Sequence, residues 1–217
     1  MTSPIIQLDE PIVIIIDDDE ILVASLIIYL ESKKIRCLPF FSGEDFLLAS
    51  KIDTSLLTNP GCILLDIRMP SLSGPQVFDQ ILERHEQLTK PVIFISGHGE
   101  TQIAVELMKR GAYDFIQKPF DSEALLKLVK LALTFSFDNF NSTLFRRNFN
   151  NKINSLSKKE LEIMNLIYQG ASNKDIADQY QNSVRTIELH RAHIFTKLEV
   201  KNGIELARKL EQVSWTV

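Results

Sequence analysis

Short apolar runs alternate with longer amphipathic stretches through the first 135 residues. The runs IVIII (12–16), IRCLPF (35–40), CILL (62–65), VIFI (92–95) and YDFI (113–116) are too short for buried helices and rich in β-branched or aromatic residues, which predicts five strands. Between them the spacing predicts helices over 20–32, 44–50 after a Ser42 cap, 75–88, 100–110 closed by Gly111, and 122–133 after an Asp121 cap. Strand and helix alternating five times predicts an α/β fold, a doubly wound five-stranded parallel sheet of the flavodoxin-like kind with helices on both faces.

From residue 155 the pattern is wholly helical. Ser157 with Glu160 three residues later is a capping box, and the helix it opens stops at Gly170. Ser172-Asn173 opens a short helix ending near Tyr180, Ser183 caps a longer one from Val184 to about Leu198, and a fourth begins at Asn202 or Gly203. A short helix, a tight turn at Gln181-Asn182 and a longer helix form a helix-turn-helix, so a small all-α domain over 153–217 follows the α/β domain over 10–135. The stretch 136–152 is Asn-rich but carries Phe137, Phe140 and Leu144 at the spacing of one helix face. It either extends the fifth helix, docks on another surface or forms a partly disordered connector.

Charge separates the two halves. Residues 1–135 hold 12 Lys and Arg against 19 Asp and Glu, a net of −7, whereas 152–217 hold 10 against 8, a net of +2. Modules of opposite sign imply different partners. Cys37 and Cys62 are the two cysteines of the chain; both lie inside apolar runs without ligand spacing, as buried residues of a reducing compartment do. With no apolar run of membrane-spanning length and no basic stretch ahead of the first apolar one, a cytoplasmic protein without a membrane partner is expected.

The run PIVIIIDDDE raises the chemical question, since it drives a buried-looking segment into four successive acids. Two carboxylates about 4 Å apart repel by roughly 4 kcal/mol at an effective dielectric near 20, so they either splay into solvent or share a cation. Asp66 ends the third run, Ser96-Gly97-His98-Gly99 the fourth and Gln117-Lys118-Pro119 the fifth. In a parallel sheet these ends share one edge, where open α/β sheets bind ligands. Carboxylates there form a hard oxygen site suited to Mg²⁺, and a hydroxyl with an ammonium suits the remaining oxygens of a phosphoryl group. Asp19, followed by Glu20, fits a helix cap better than the pocket. His98 reads as a loop residue, having no second histidine near it in sequence.

The segments IIIDDDE, LLDIRMPSLSG, FISGHGE and DFIQKPF together resemble the receiver domain of two-component response regulators, closest to the FixJ group. The resemblance implies Asp66 as phosphoacceptor, Asp17 and Asp18 as the acidic pocket, and Mg²⁺ bound by Asp18, Asp66 and the backbone carbonyl of Arg68, with Asp17 acting through water. It further implies phosphoryl contacts from Ser96, where threonine is frequent in the family, and Lys118, and puts Phe115 at the aromatic switch position. The strand pattern alone fits Phe115 equally as a core residue.

The segment LSKKELEIMNLIYQGASNKDIADQYQNSVRTIELHRAHIFTKLEV resembles the LuxR-type DNA-binding domain of the NarL/FixJ family. Ile187, Ile194, Phe195 and Leu198 have core spacing, leaving Arg185, Glu188, Leu189, Arg191 and Ala192 to face elsewhere, which fits a major-groove helix or a solvated charged face alike. The resemblance implies DNA contacts from these five and from Asn173, Lys174, Ser183, Thr186 and Lys197, with dimerisation through the fourth helix around Ile204 to Leu210. Tyr180 stands where a smaller aliphatic is usual, and Gln181-Asn182 replaces a common Gly-Ile or Gly-Val. The whole implies a phosphorylation-activated transcription regulator, not an enzyme, with a sensor histidine kinase, double-stranded promoter DNA, RNA polymerase and a second copy of itself as partners. Two alternatives are a haloacid-dehalogenase-like phosphatase, whose DxDx(T/V) motif Asp17-Asp18-Asp19-Glu20-Ile21 resembles except at Ile21, and a receiver acting only by protein contact.

Overall fold

The structure is a computed structural model that describes residues 11–84, 90–97 and 99–216. The strands are β1 (Ile12–Ile16), β2 (Arg36–Phe40), β3 (Gly61–Asp66), β4 (Val92–Ser96) and β5 (Asp114–Gln117). They form one parallel sheet in the order β2-β1-β3-β4-β5. Helices α1 (Glu20–Ser32), α2 (Gly43–Ile52), α4 (Gly74–Arg84), α5 (Thr101–Lys109) and α6 (Ser122–Asn154) alternate with the strands as expected. The turn-length α3 (Ser55–Thr58), which the pattern does not announce, lies before β3. The end of the expected helix over 75–88 lies outside the described residues, as does His98.

Alternation along the strands fills two cores. Ile14, Ile16, Ile63, Leu65 and Phe94 point to one face with Phe46, Val77, Phe78 and Leu107 from α2, α4 and α5. Val13, Ile15, Leu64, Ile93 and Ile95 point to the other with Val23, Leu26 and Leu30 from α1 and Leu125 and Val129 from α6. Strands buried on both faces read as continuous apolar runs, which is why β1 and β3 stand out in the sequence.

The chain divides into two compact units, the first ending at Asn141 and the second beginning at Ser142. Residues 136–152 are helical, inside the 33 residues of α6. The face built from Phe137, Phe140 and Leu144 is not the one α6 buries: Phe137 is exposed. In the first unit α6 instead buries Ala132 and Ser136, whose hydroxyl accepts the Gly61 N–H at 3.0 Å. In the second unit it buries Phe149 and Ile153, four residues apart. The second unit continues with α7 (Lys158–Tyr168), α8 (Asn173–Tyr180), α9 (Val184–Leu198) and α10 (Gly203–Gln212) around a core of Ile163, Met164, Ile176, Ile187, Ile194 and Leu206. Among the described residues no helix is long and apolar enough to cross a membrane.

Candidate functional site

Strand register assembles the first site. Ile16 pairs with Leu65 across β1 and β3, so Asp17 and Asp66, the next residues on each, emerge side by side where the strand order reverses. Ser96 of β4 pairs with Gln117 of β5, which brings Lys118 to the same edge. The Lys118–Pro119 peptide is cis. Lys118 Nζ donates to Asp17 Oδ2 at 2.9 Å and to Asp66 Oδ1 at 2.6 Å. The other Asp66 oxygen accepts the Arg68 N–H at 2.6 Å, and Asp17 Oδ1 accepts the Asp19 N–H at 2.9 Å.

Both bridged carboxylates are buried. Burial pushes the Asp66 carboxyl up to about 6; the Lys118 hydrogen bond opposes that rise and the charge of Asp17 adds to it. Burial works against the charge of Lys118, but its hydrogen bonds to Asp17 and Asp66 outweigh it and hold the ammonium above its usual range. The pocket therefore answers the repulsion between its acids with an internal cation.

Asp18 is exposed at the lip of this pocket, while Asp19 caps α1 by accepting the Ile21 and Leu22 N–H groups. Ser96 is buried, and its hydroxyl donates to the Ile116 carbonyl at 3.4 Å. Phe115 is half-buried against the core on the α4 and α5 side. Among the described residues no three acidic, histidine or cysteine side chains enclose an ion. The donors at the pocket, carboxylates of Asp17, Asp18 and Asp66 and the Arg68 carbonyl, are nevertheless all hard oxygens of the type Mg²⁺ takes.

Two positioning residues of the site escaped the sequence reading. Gly74 begins α4 so close to β3 that a Cβ there would lie 2.1 Å from the Asp66 carbonyl oxygen. Its signal was the glycine of the LSG stretch. Glu100 is buried beside α5, accepts the Gly97 N–H and pairs with the Arg68 guanidinium. At the start of an expected helix it reads only as a first-turn acid.

In the second unit Gln181 takes the left-handed conformation, φ 50°, that glycine usually supplies at a helix end. Its N–H still closes α8, and Ser183 caps α9 by accepting the Thr186 N–H at 3.1 Å. The Tyr180 hydroxyl donates to Glu162 at 2.9 Å, so the larger side chain is anchored at the unit's surface. Lys174, Ser183, Arg185, Glu188, Leu189 and Ala192 are exposed, and Asn173 and Thr186 half-buried.

Two members of the expected DNA-contact set are engaged elsewhere. Arg191 is half-buried, its guanidinium 5.4 Å from the Phe195 ring centre, and does not share the open face of Arg185 and Ala192. It follows Ile187 by four residues and precedes Ile194 by three, which puts it on the core flank of α9. Lys197 donates to the buried Glu160 of α7 at 2.7 Å. That carboxylate is held down at about 2, chiefly by the Lys197 hydrogen bond and then by the Ser157 N–H.

Residues 13–130 match the response regulator receiver domain family, and residues 154–210 match the bacterial regulatory proteins of the luxR family. This chain is a response regulator. It is 35% identical over 194 residues to the C4-dicarboxylate transport transcriptional regulatory protein DctR of Rhodobacter capsulatus, covering 89% of this chain and 96% of the relative. It is 34% identical to the transcriptional regulatory protein FixJ of Azorhizobium caulinodans, covering 89% of each chain. Among solved structures the response regulator StyR superposes with a TM-score of 0.81 at 28% identity, covering 94% of this chain and 99% of that one. Full-length FixJ from B. japonicum gives 0.57 at 30% identity, covering 95% and 98%. The response regulator thus joins a receiver to a LuxR-type DNA-binding domain and acts in transcription, which sets aside the phosphatase alternative.

Proposed function

We propose that a sensor histidine kinase phosphorylates this response regulator on Asp66, and that the phosphorylated receiver dimerises and delivers paired DNA-binding domains to a promoter. The observation that carries this reading is the row Asp17, Lys118 and Asp66, in which Lys118 Nζ holds both acids at 2.9 and 2.6 Å at the carboxyl edge of the sheet. An Asp66 oxygen attacks the phosphorus of the kinase's phosphohistidine; the new O–P bond forms as the P–N bond breaks, and the electron pair leaves on the imidazole nitrogen. Asp18, Asp66 and the Arg68 carbonyl would hold Mg²⁺, with Asp17 behind them. The ion, when bound, supplies positive charge to the transferring oxygens. Lys118, already cationic and in place, turns from neutralising two carboxylates to binding the phosphoryl oxygens, and Ser96 joins it by leaving the Ile116 carbonyl. Phe115 then fills the space vacated beneath the loop.

In the DNA-binding domain the exposed Arg185, Glu188, Leu189 and Ala192 of α9 read base edges, and Lys174, Ser183 and their half-buried neighbours Asn173 and Thr186 contact the backbone. Arg191 and Lys197 set the position of α9. Dimerisation around Ile204 to Leu210 of α10 matches two half-sites about 34 Å apart. RNA polymerase is the partner that turns occupancy into transcription. The test uses a small phosphodonor, light scattering and a gel shift. Wild type is expected to pass from monomer to dimer and to bind DNA more tightly on phosphorylation, while Asp66→Asn does neither. Equal oligomeric state and equal DNA affinity in the two proteins would remove phosphorylation of Asp66 as the control.

A further inference from the structure

Glu100 is a buried acid, 2% exposed, whose carboxylate does not cap the helix it precedes: α5 receives no side-chain cap from it. It folds back instead. One oxygen accepts the Gly97 N–H, the residue following Ser96, and the other takes Nε of Arg68. Arg68 in turn gives its backbone N–H to Asp66, while its side chain is 76% exposed apart from this contact. A chain of contacts therefore runs from the phosphoacceptor through Arg68 and Glu100 to the backbone next to Ser96. An exposed arginine that reaches inward to one buried acid, and a backbone amide beside the phosphoryl-binding hydroxyl already occupied by an anion, call for an explanation beyond packing.

We propose that Glu100 is a built-in placeholder for the phosphoryl group, occupying the Gly97 N–H and the Arg68 guanidinium until phosphorylation of Asp66 evicts it. The inference rests on the reading of Asp66 as phosphoacceptor. Its logic is competition between anions. Asp66 ends β3 and pairs with Ile95, so Ser96 and Gly97 leave the adjacent strand beside it. A phosphoryl group added there carries nearly two negative charges and three strong acceptor oxygens, and it seeks the same N–H and guanidinium donors that one carboxylate now holds. The two anions repel as well. Eviction removes the tie between Gly97 and the start of α5, so the arrival of phosphate is felt at α5 through a residue that never touches the transferred group. Glu100 is in this sense a positioning residue, and it sets the resting loop against activation.

The full chain is labelled on Asp66 with phosphoramidate and Mg²⁺, followed by intact-mass spectrometry, and the Gly97 amide is followed by ¹⁵N–¹H NMR. In wild type the Gly97 amide is expected to shift on phosphorylation. In Glu100→Gln, which keeps the shape but loses the charge, that amide should move part of the way in the unphosphorylated protein, and labelling should run at least threefold faster. A merely structural Glu100 would give slower labelling together with lower stability. A Gly97 amide unmoved by phosphorylation in wild type, or Glu100→Gln labelling at the wild-type rate, overturns the placeholder. The wild-type NMR measurement stands even where the variant folds poorly. Labelling of Asp66→Asn as fast as wild type would instead remove the phosphoacceptor reading underneath it, so the two failures are told apart.

Discussion

Replacing Glu160 by Gln removes the charge that ties α7 to the DNA-presenting helix α9 while preserving the shape of the side chain. Glu160 Oε2 accepts Lys197 Nζ at 2.7 Å and the Ser157 N–H at 2.8 Å, which holds its carboxyl at about 2 against an ordinary 4.5. Each pKa unit corresponds to about 1.4 kcal/mol, which sets a ceiling of about 3 kcal/mol. Lys197 keeps 43% of its side chain in solvent, and screening there trims the expected loss to about 1–2 kcal/mol at pH 7. Because the folded value is depressed, this stability is present above pH 4.5 and is lost as pH falls through 4.5 toward 2. The assay is built into the chain. Trp215, its one tryptophan, packs on the core of the second unit and donates to Asn165 at 3.0 Å, so its fluorescence reports that unit alone. With an m-value of about 1 kcal/mol/M for so small a unit, the urea midpoint of Glu160→Gln should lie about 1–2 M below wild type at pH 7. The gap should narrow by pH 3 and close toward pH 2. A gap that is absent at pH 7, or unchanged at pH 3, refutes the argument that a charge pair holds α9 in place.

Gly74→Ala would press a Cβ toward the Asp66 carbonyl oxygen, only 2.1 Å away, and should cost about 1–3 kcal/mol in urea unfolding of the receiver while slowing labelling of Asp66; wild-type stability and rate would exclude the close approach. Lys90 is buried with its ammonium directed at the carbonyls of Ser55, Asn59 and Pro60, and burial lowers it to about 8. Between about pH 8 and 10.5 the unfolded chain then holds a proton that the folded one lacks. Wild type should therefore gain stability over Lys90→Met by about 1.4 kcal/mol per pH unit across that window, and a flat difference would contradict it. Asp18→Asn, at the exposed lip of the pocket, should abolish Mg²⁺-dependent labelling without unfolding the receiver; near-normal labelling would remove Asp18 from the ion's ligands. Arg191→Ala should weaken binding to every DNA sequence alike and lower the second unit's stability by about 0.5–1 kcal/mol through loss of its contact with Phe195, whereas Glu188→Ala should relax sequence preference. A specificity change from Arg191→Ala would return it to the base-reading face.

What could be read from the sequence follows from which constraints are local. The sheet was legible because strands covered on both faces must be apolar throughout, so IVIII and CILL announce themselves and the first polar residue after each marks the edge where a site forms. Register then needs no further information: once β1 and β3 are neighbours, Asp17 and Asp66 fall side by side, and Lys118 follows from β5. The course of α6 was not legible, because its buried residues change along its length, from Ala132 and Ser136 to Phe149 and Ile153. A single-face test on Phe137, Phe140 and Leu144 therefore pointed at the wrong stripe. Arg191 departs from its expected face for another reason. Charge on a recognition helix reads as outward, yet four residues after a buried isoleucine and three before another, a long side chain lies half-buried along the core flank. Glu100 marks the limit of such reading. Its role depends on a side chain folding back three residues to Gly97 and across to a different loop at Arg68, and neither contact leaves a periodicity in the chain. The acids whose positions strands dictate are the ones that define the chemistry. On the proposed reading, those whose positions loops dictate, Glu100 among them, govern when that chemistry has an effect.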